Sequence, residues 1–475
     1  MKYQAIIGLE IHVEMKTKSK MFSCAPNAFS REPNTEVALF DMAFPGTLPS
    51  VNKQAVINAI RVAHALHMEI DHALQFDRKN YFYADLPKGY QITQQFHPLG
   101  KQGYVDILDQ DGSNKRIHIE RLHMEEDTCK QLHFDDYTLL DYNRAGVPLV
   151  EIVSYPEIRS GYQAMAYVEA IRNIVVYTHT SDGKMEEGSL RCDVNISLRP
   201  IGSDDYGTKV EIKNINSLKN IQLALDYEIA RQSALLDQGE AILQETRRFD
   251  DRNGVTISMR VKEDAVDYKY FCDPNIPPIV LSDGFIENAI STCPELYEVK
   301  LERYLSYGLS KVDAETLLSD IAVSQYFESS LCDHKLAKKL ANFLLIEVRS
   351  YLHKTNLRLE DLPVSGNTLF NIVKMQEDGY SHQQCVDIFV YICQNGTSLE
   401  STCEILHIAK PSADDKLILG YVQAVLDDNP KSIEDYHNGK DRVIGYLIGQ
   451  VMKLGQGRLS PSMVSKIMME EIKKR

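Results

Sequence analysis

Residues 8–15 alternate strictly between apolar and polar side chains, a pattern that predicts a β-strand with two different faces. One face is apolar. The opposite face presents Glu10, His12 and Glu14 together, because successive side chains of a strand alternate in direction. Carboxylates and an imidazole can bind a metal ion or a proton. The first strand therefore places three possible ligands side by side.

The same alternation recurs in two later segments, 191–199 and 207–213. Their polar faces mix acid, base and amide groups, carried by Arg191, Asp193, Asn195, Ser197, Arg199, Lys209, Glu211 and Lys213. Two interpretations stay open for these faces. They line a concave polar site, or they form the solvated side of an ordinary antiparallel sheet.

Apolar residues at helical spacing interrupt the strand pattern at three places and predict helices over 51–70, 161–178 and 218–238. From residue 295 onward, helical periodicity dominates, with breaks near Pro363 and Pro411. The chain is therefore predicted to have an α+β fold. An antiparallel β-rich domain over 1–294 precedes an all-α helical domain over 295–407 and a small helical tail over 408–475.

Composition limits the cellular setting and the partners. The formal charge of −15 over 475 residues argues against non-specific coating of nucleic acid, although the stretch 453–475 is locally basic. The nine cysteines form no close pair, which favours reduced thiols in the cytoplasm. The chain shows no export signal and no run of about 18 apolar residues, so no membrane association is expected.

Glu151 stands out because apolar residues flank it on both sides within 147–153. A lone buried carboxylate would cost several kcal/mol, so a cation or hydrogen-bond donors must meet it. The site interpretation supplies a metal ion. The alternative is a buried ion pair with an arginine such as Arg144.

Residues 123–127, H-M-E-E-D, add three carboxylates and one imidazole. Such oxygen-rich sets favour Mg²⁺ over Zn²⁺. The sequence leaves open whether Glu125 or Glu126 meets the metal, and an acidic surface turn is the alternative to a site.

Residues 76–91 interleave cationic and aromatic side chains, which suits phosphate or a nucleotide stacked on tyrosine. The alternative is a surface loop with cation–π contacts. The chain has no GxxxxGK[ST], GxGxxG or GxSxG motif. An ATP site would therefore have to depend on a metal ion.

These segments together resemble the B subunits of the tRNA-dependent amidotransferases. The resemblance extends over essentially the whole chain and is carried by seven segments: 8–13, 76–83, 86–91, 123–127, 141–144, 146–154 and 188–193. It implies a catalytic β-cradle that holds Mg²⁺ and ATP, followed by a helical domain and a tail that contacts tRNA.

The resemblance also implies a two-step reaction. The carboxylate of misacylated Glu-tRNA(Gln) or Asp-tRNA(Asn) is phosphorylated with ATP, and ammonia then displaces the phosphate. Ammonia would come from an amidase (glutaminase) partner, the A subunit, and a small C subunit would complete a heterotrimer. Two alternatives remain: a non-enzymatic tRNA-binding scaffold, and a metal-dependent phosphohydrolase unrelated to translation.

Residue roles follow from the resemblance. The metal would be held by Glu10, His12, Glu126, Glu151 and Asp193. Catalysis would involve Glu125, Glu126 and Lys79. ATP or the tRNA 3′ end would be held by Arg78, Lys79, Lys88, Arg191, Lys209 and Lys213.

Overall fold

The computed structural model describes residues 2–28, 32–261, 267–408, 415–437, 442–455, 459 and 461–475. The chain divides into two compact units, Met1–Tyr297 and Glu298–Arg475. The strands named below all lie in the first unit, and the second is helical. A large sheet followed by many helices confirms the predicted α+β fold class.

The first unit is built from sixteen strands in its described residues: β1 (Tyr3–Glu14), β2 (Glu69–Ile70), β3 (Ala73–Leu74), β4 (Asp77–Asn80), β5 (Tyr90–Thr93), β6 (Gly100–Leu108), β7 (Asn114–Glu126), β8 (Lys130–His133), β9 (Thr138–Asp141), β10 (Pro148–Ser154), β11 (Leu190–Pro200), β12 (Val210–Lys213), β13 (Glu245–Asp250), β14 (Val255–Val261), β15 (Phe271–Cys272) and β16 (Ile279–Val280).

The helices of the described residues are α1 (Lys53–Ala65), α2 (Gly161–Tyr177), α3 (Leu218–Asp237), α4 (Asp283–Ser291), α5 (Tyr297–Ser306), α6 (Lys311–Leu318), α7 (Ile321–Ser330), α8 (Ala337–Phe343), α9 (Arg349–Thr355), α10 (Gly366–Met375), α11 (His382–Asn395), α12 (Leu399–Ile405), α13 (Asp415–Asp428), α14 (Pro430–His437), α15 (Arg442–Leu454) and α16 (Pro461–Ile472). Short 3₁₀ turns (His334–Leu336, Leu359–Asp361) and a π-helical stretch (Leu344–Val348) accompany them. None of these helices combines the length and apolar character needed to cross a bilayer.

Nine strands form the main sheet in the order β14-β13-β12-β11-β1-β10-β7-β6-β2. The pairs are antiparallel as predicted, except that β12 and β13 run parallel. The exception has a topological cause: the chain returns through α3 between these two strands, and parallel neighbours need such a crossover. The first strand lies at the centre, between β10 and β11.

The alternation within β1 decides where the core and the site lie. Leu9, Ile11 and Val13 are buried and belong to one large apolar core that also includes side chains of α1, α2 and α3. The polar side chains of the strand are half-buried on its other face. The helices therefore cover one side of the sheet and leave the polar side available for chemistry.

The three predicted helices are present, but the first is shorter than expected. The Asn52 side chain caps α1 by accepting hydrogen bonds from the backbone of Gln54 and Ala55. The helix ends at Ala65 because His67 adopts a left-handed backbone with φ of 55°, and the chain then enters β2. Of the predicted strand over 207–213, only Val210–Lys213 forms β12.

Helices α13 to α16 share a core of their own, formed by Ile418, Val422, Leu447 and Val451 among others. The predicted boundary between the helical domain and the tail falls beside residues 409–414, which lie outside the described residues. The division into three domains stays a prediction.

Candidate functional site

Four neighbouring strands at the centre of the sheet align the polar side chains of the site. His12 on β1 lies opposite Arg191 on β11 and opposite Glu151 on β10, and Glu151 lies opposite His123 on β7. Directly opposed residues of an antiparallel pair point to the same face. The register therefore gathers four segments that are far apart in the chain into one row.

Glu125 completes a group of three possible ligands with His12 and Glu151. His12 Nε2 lies 3.3 Å from Glu151 Oε2 and 3.8 Å from Glu125 Oε1. One ligand atom from each residue falls within 4.8 Å of the other two. We call His12, Glu125 and Glu151 the ligand group, because one imidazole and two carboxylates at this spacing can converge on a single cation.

His123 adjoins this group. Its Nε2 atom lies 3.1 Å from Glu151 Oε2 and 3.7 Å from Glu125 Oε2. The side chain is buried, and its Nδ1 atom has no hydrogen-bond partner in the described structure. Alternation within 123–127 already places His123 on the face of Glu125, but sequence reasoning assigned it no role because the register with β10 was unknown.

Electrostatics keep the carboxylate of Glu151 ionised. Burial alone would raise the pKa of Glu151, but the imidazoles of His123 and His12 hold it well below its usual range. In return, Glu151 and Glu125 outweigh burial and raise the pKa of His123 to about 9. The same carboxylates raise the pKa of His12 against burial.

Glu126 lies elsewhere. It follows Glu125 directly on β7 and points to the opposite face, where its carboxylate accepts hydrogen bonds from Lys88 Nζ at 2.9 Å and Ile92 N at 3.1 Å. Both Glu126 and Lys88 are almost completely buried. The structure thus brings Glu125, and not Glu126, to the ligand group, while the proposed metal role of Glu126 stays a prediction.

The predicted ligands Glu10 and Asp193 oppose each other across β1 and β11, next to the ligand group. Asn195 donates a hydrogen bond to Glu10, and Lys213 donates one of 2.6 Å to Asp193. Burial, followed by the charges of Glu151 and Asp193, raises the pKa of Glu10. Glu10 therefore interacts electrostatically with Glu151 of the ligand group, although it is not one of the three converging residues.

Lys79 interacts electrostatically with two carboxylates of the ligand group. Its ammonium is 4.8 Å from the ring centre of Tyr268 and 5.9 Å from that of Tyr81. Burial lowers the pKa of Lys79, but Glu125 and Glu151 contribute to a net increase. Tyr268 carried no sequence signal, since it lies far from Lys79 in the chain.

Arg78 faces a different partner. It forms a 2.7 Å ion pair with Asp273, and its guanidinium stacks 3.9 Å from the ring centre of Tyr90. The cation–π alternative for this segment is therefore present in the folded protein, beside the candidate site.

Ion pairs and burial decide two of the alternatives left open by the sequence. Arg144 and Arg191 both meet Asp127, at 3.6 and 2.6 Å, so the suggested pair of Arg144 with Glu151 is wrong. The acidic surface turn is also wrong. Glu125, Glu126 and Asp127 are 4%, 1% and 5% exposed.

Two cavities open on either side of His12 along β1. A cavity of about 290 Å³ is lined by Glu10, Asn195, Ser197, Tyr206 and Lys209, among others. A second of about 660 Å³ is lined by Glu14, Asn143, Arg144, Lys130 and Arg191, among others. Burial and the nearby Asp127 raise the pKa of Glu14 to about 7. Glu10 and Glu14 flank His12 on β1 and each lines one of the two cavities, whereas His12, Glu125 and Glu151 line neither.

Comparison with known proteins matches the chain to two family models and to full-length relatives. The family model described as the GatB/GatE catalytic domain matches residues 5–287, and the model described as the GatB domain matches residues 325–472. The chain is 46% identical to the aspartyl/glutamyl-tRNA(Asn/Gln) amidotransferase B subunit of Staphylococcus carnosus over 477 residues and 44% identical to that of Geobacillus thermodenitrificans over 481 residues. Both alignments cover 100% of this chain and 100% of the relative.

Proposed function

The chain belongs to the GatB/GatE family of tRNA-dependent amidotransferase B subunits, and from this premise we propose that it phosphorylates the side-chain carboxylate of a misacylated tRNA with ATP and then transfers ammonia to it. The proposed substrates are Glu-tRNA(Gln), Asp-tRNA(Asn) or both. The protein would act in a heterotrimer with an amidase A subunit and a small C subunit, as a carbon–nitrogen ligase that uses glutamine as nitrogen donor. The nine free thiols support a cytoplasmic location.

The ligand group is the observation that carries this proposal. Transfer of a phosphoryl group to a carboxylate brings two anions together, so positive charge must offset their repulsion. One imidazole and two carboxylates, with ligand atoms within 4.8 Å of one another, form a donor set that fits a hard divalent cation. His12, Glu125 and Glu151 would hold Mg²⁺, with Glu10 and Asp193 beside them. Bound Mg²⁺ supplies charge neutralisation at the ATP phosphates.

Residues of the chain supply the remaining functions. In the first step, an oxygen of the substrate carboxylate attacks the γ-phosphorus and the bond to ADP breaks. Lys79, whose pKa the charges of Glu125 and Glu151 help to raise, would meet the transferred phosphoryl group. Lys209, which lines the smaller cavity, and Lys213, which pairs with Asp193 from β12, would bind phosphates or the tRNA 3′ end.

In the second step, ammonia attacks the acyl carbon, the carbon–oxygen bond to phosphate breaks, and the nitrogen gives up a proton to the departing phosphate. Glu125 is the proposed catalytic carboxylate at the site, whereas Glu126, for which the sequence predicts the same role, points to the opposite face and pairs with Lys88. We assign tRNA contact outside the site to the tail, which carries exposed lysines.

The test uses the chain assembled with both partner subunits, ATP and misacylated tRNA. We expect His12→Ala and Glu151→Gln to lower amidation at least about 100-fold while the glutaminase reaction of the partner continues, since metal-site groups of this kind are worth several kcal/mol. Amide on tRNA is measured by mass spectrometry, and ADP formation by a coupled assay.

Three outcomes would contradict the proposal. Normal amidation by either variant would exclude the ligand group as the centre of the reaction. No ADP formation above background by the complete complex would favour a non-enzymatic scaffold. Equal phosphate release by this chain without tRNA would favour a phosphohydrolase.

A further inference from the structure

His123 contacts both carboxylates of the ligand group but is not one of its three converging residues. It is 6% exposed and lies on β7, two residues before Glu125. An apolar side chain at this position would fill the same space without burying a polar atom that lacks a partner. Packing alone therefore gives no physical reason for an imidazole whose Nδ1 atom lacks a partner in the described residues.

The contacts of Glu125 divide between its two oxygens. Oε2 faces His123 Nε2 at 3.7 Å and accepts a 3.4 Å hydrogen bond from Thr93, whereas Oε1 faces His12 at 3.8 Å. Oε2 is thus occupied by His123 and Thr93. Oε1 remains directed toward the imidazole of His12, the other residue of the ligand group on this side.

Glu151 is held in a similar way. Its Oε2 atom lies between two imidazoles, 3.1 Å from His123 Nε2 and 3.3 Å from His12 Nε2. Without a donor between them, the carboxylates of Glu151 and Glu125 would repel each other and turn apart. His123 is the described side chain of β7 that faces both carboxylates, at hydrogen-bond distance from Glu151 and at ion-pair distance from Glu125.

We propose that His123 is a positioning residue, which through Nε2 holds Glu125 and Glu151 so that they converge with His12 on one divalent cation. The inference rests on the metal role of the ligand group in the proposed function. Hydrogen bonds to ligating side chains commonly orient them, and their loss typically weakens metal affinity about 10- to 100-fold.

The test compares three substitutions in the full chain assembled with its partner subunits. In His123→Gln the terminal amide reaches the position of Nε2, in His123→Asn the shorter amide reaches only the position of Nδ1, and His123→Phe retains a ring without a donor. The probe is Mn²⁺, whose free concentration is followed by electron paramagnetic resonance, with Mg²⁺ as competitor. His118→Gln, on the exposed part of the same strand, is the matched control.

We expect His123→Asn and His123→Phe to weaken Mn²⁺ binding about 10- to 100-fold, while His123→Gln and His118→Gln stay within about threefold of the unmodified chain. The KM for Mg²⁺ should rise in the same two variants, with much of kcat recovered at saturating Mg²⁺. Thermal melting checks that the variants are folded. A merely structural role would not separate Gln from Asn.

The outcomes separate this inference from its premise. Equal Mn²⁺ affinity in all variants, or equal losses for Gln and Asn that follow their melting temperatures, would overturn the positioning role. No Mn²⁺ binding by the unmodified complex at millimolar concentration would overturn the metal site itself and, with it, the inference.

Discussion

Lys88 and Glu126 form a buried ion pair beside the candidate site, with side chains that are 7% and 1% exposed. Removing one partner of such a pair leaves an uncompensated buried charge, which costs about 3–5 kcal/mol. We therefore expect Lys88→Met to lower the melting temperature of the first unit strongly. The double variant Lys88→Met, Glu126→Gln should recover most of the loss, because no charge is then left unpaired.

The double variant also tests the proposed metal role of Glu126. If Glu126 belongs only to the ion pair, the recovered protein should bind Mn²⁺ as the unmodified chain does. A loss of Mn²⁺ binding in a stably folded double variant would place Glu126 in the metal site, while failure to recover stability would show that the pair is not the main role of these side chains.

Glu151 shows how far single residues can be understood from the sequence. Its apolar neighbours correctly predicted a carboxylate that needs compensation, although the side chain is partly rather than fully buried, with 13% exposed. The partners were not predictable, because His12 and His123 reach it through the register of β1 and β7, which no local pattern specifies. For the same reason, Glu125 and Glu126 could be separated only once the strand was placed in its sheet.

Helices α2 and α3 pack closely where α2 begins. A Cβ atom added at Gly161 would lie 2.7 Å from the backbone oxygen of Gln222 and 2.8 Å from Asp226 Oδ1. Gly161→Ala must therefore push the helices apart, and we expect a loss of about 1–3 kcal/mol, which is typical of overpacking.

The matched control is Gly284→Ala in the first turn of α4, where nothing lies within 4 Å of the added atom. That change should be neutral or slightly stabilising, by up to about 1 kcal/mol. Thermal melting compares the two variants. Equal melting temperatures would show that the helices adjust freely, and the close approach would not be a constraint on the fold.

At the scale of elements, periodicity predicted what a single segment can determine. The helices α2 and α3 appear within one residue of their predicted ends, because apolar spacing and serine caps are local properties. The left-handed turn that ends α1 and the parallel pair β12–β13 depend on the path of the whole chain. These features could not be predicted from spacing.

The candidate site lies entirely within the first unit, where β1, β7, β10 and β11 bring together segments from residues 12 to 191. Motif resemblance suggested that these segments act together, and the sheet order gives the physical reason: each strand is a neighbour of the next. The tail carries no part of this group, so tRNA contact by the tail and chemistry at the site can be tested separately.

Lys466 and Lys473 are exposed on and just after α16, whereas the terminal Arg475 and Lys474 already meet Asp427 and Glu471. If the tail binds tRNA, replacing Lys466 and Lys473 with Ala should weaken tRNA binding and reduce its dependence on salt, because each lost phosphate contact removes about 0.7–0.9 from the slope of log K against log salt. ATP binding should not change. Filter binding of tRNA over a salt series measures both quantities.

The matched control for the tail is Lys335→Ala with Lys338→Ala, which removes the same charge from exposed positions between α7 and α9. A loss of net charge would affect both double variants equally. A smaller salt slope for the tail variant alone is therefore expected only if the tail lysines contact phosphates directly. Equal slopes for the two variants would mean that the tail lysines act through overall charge. An unchanged tRNA affinity after both tail substitutions would remove these two lysines from the proposed interface and leave its location to another part of the chain.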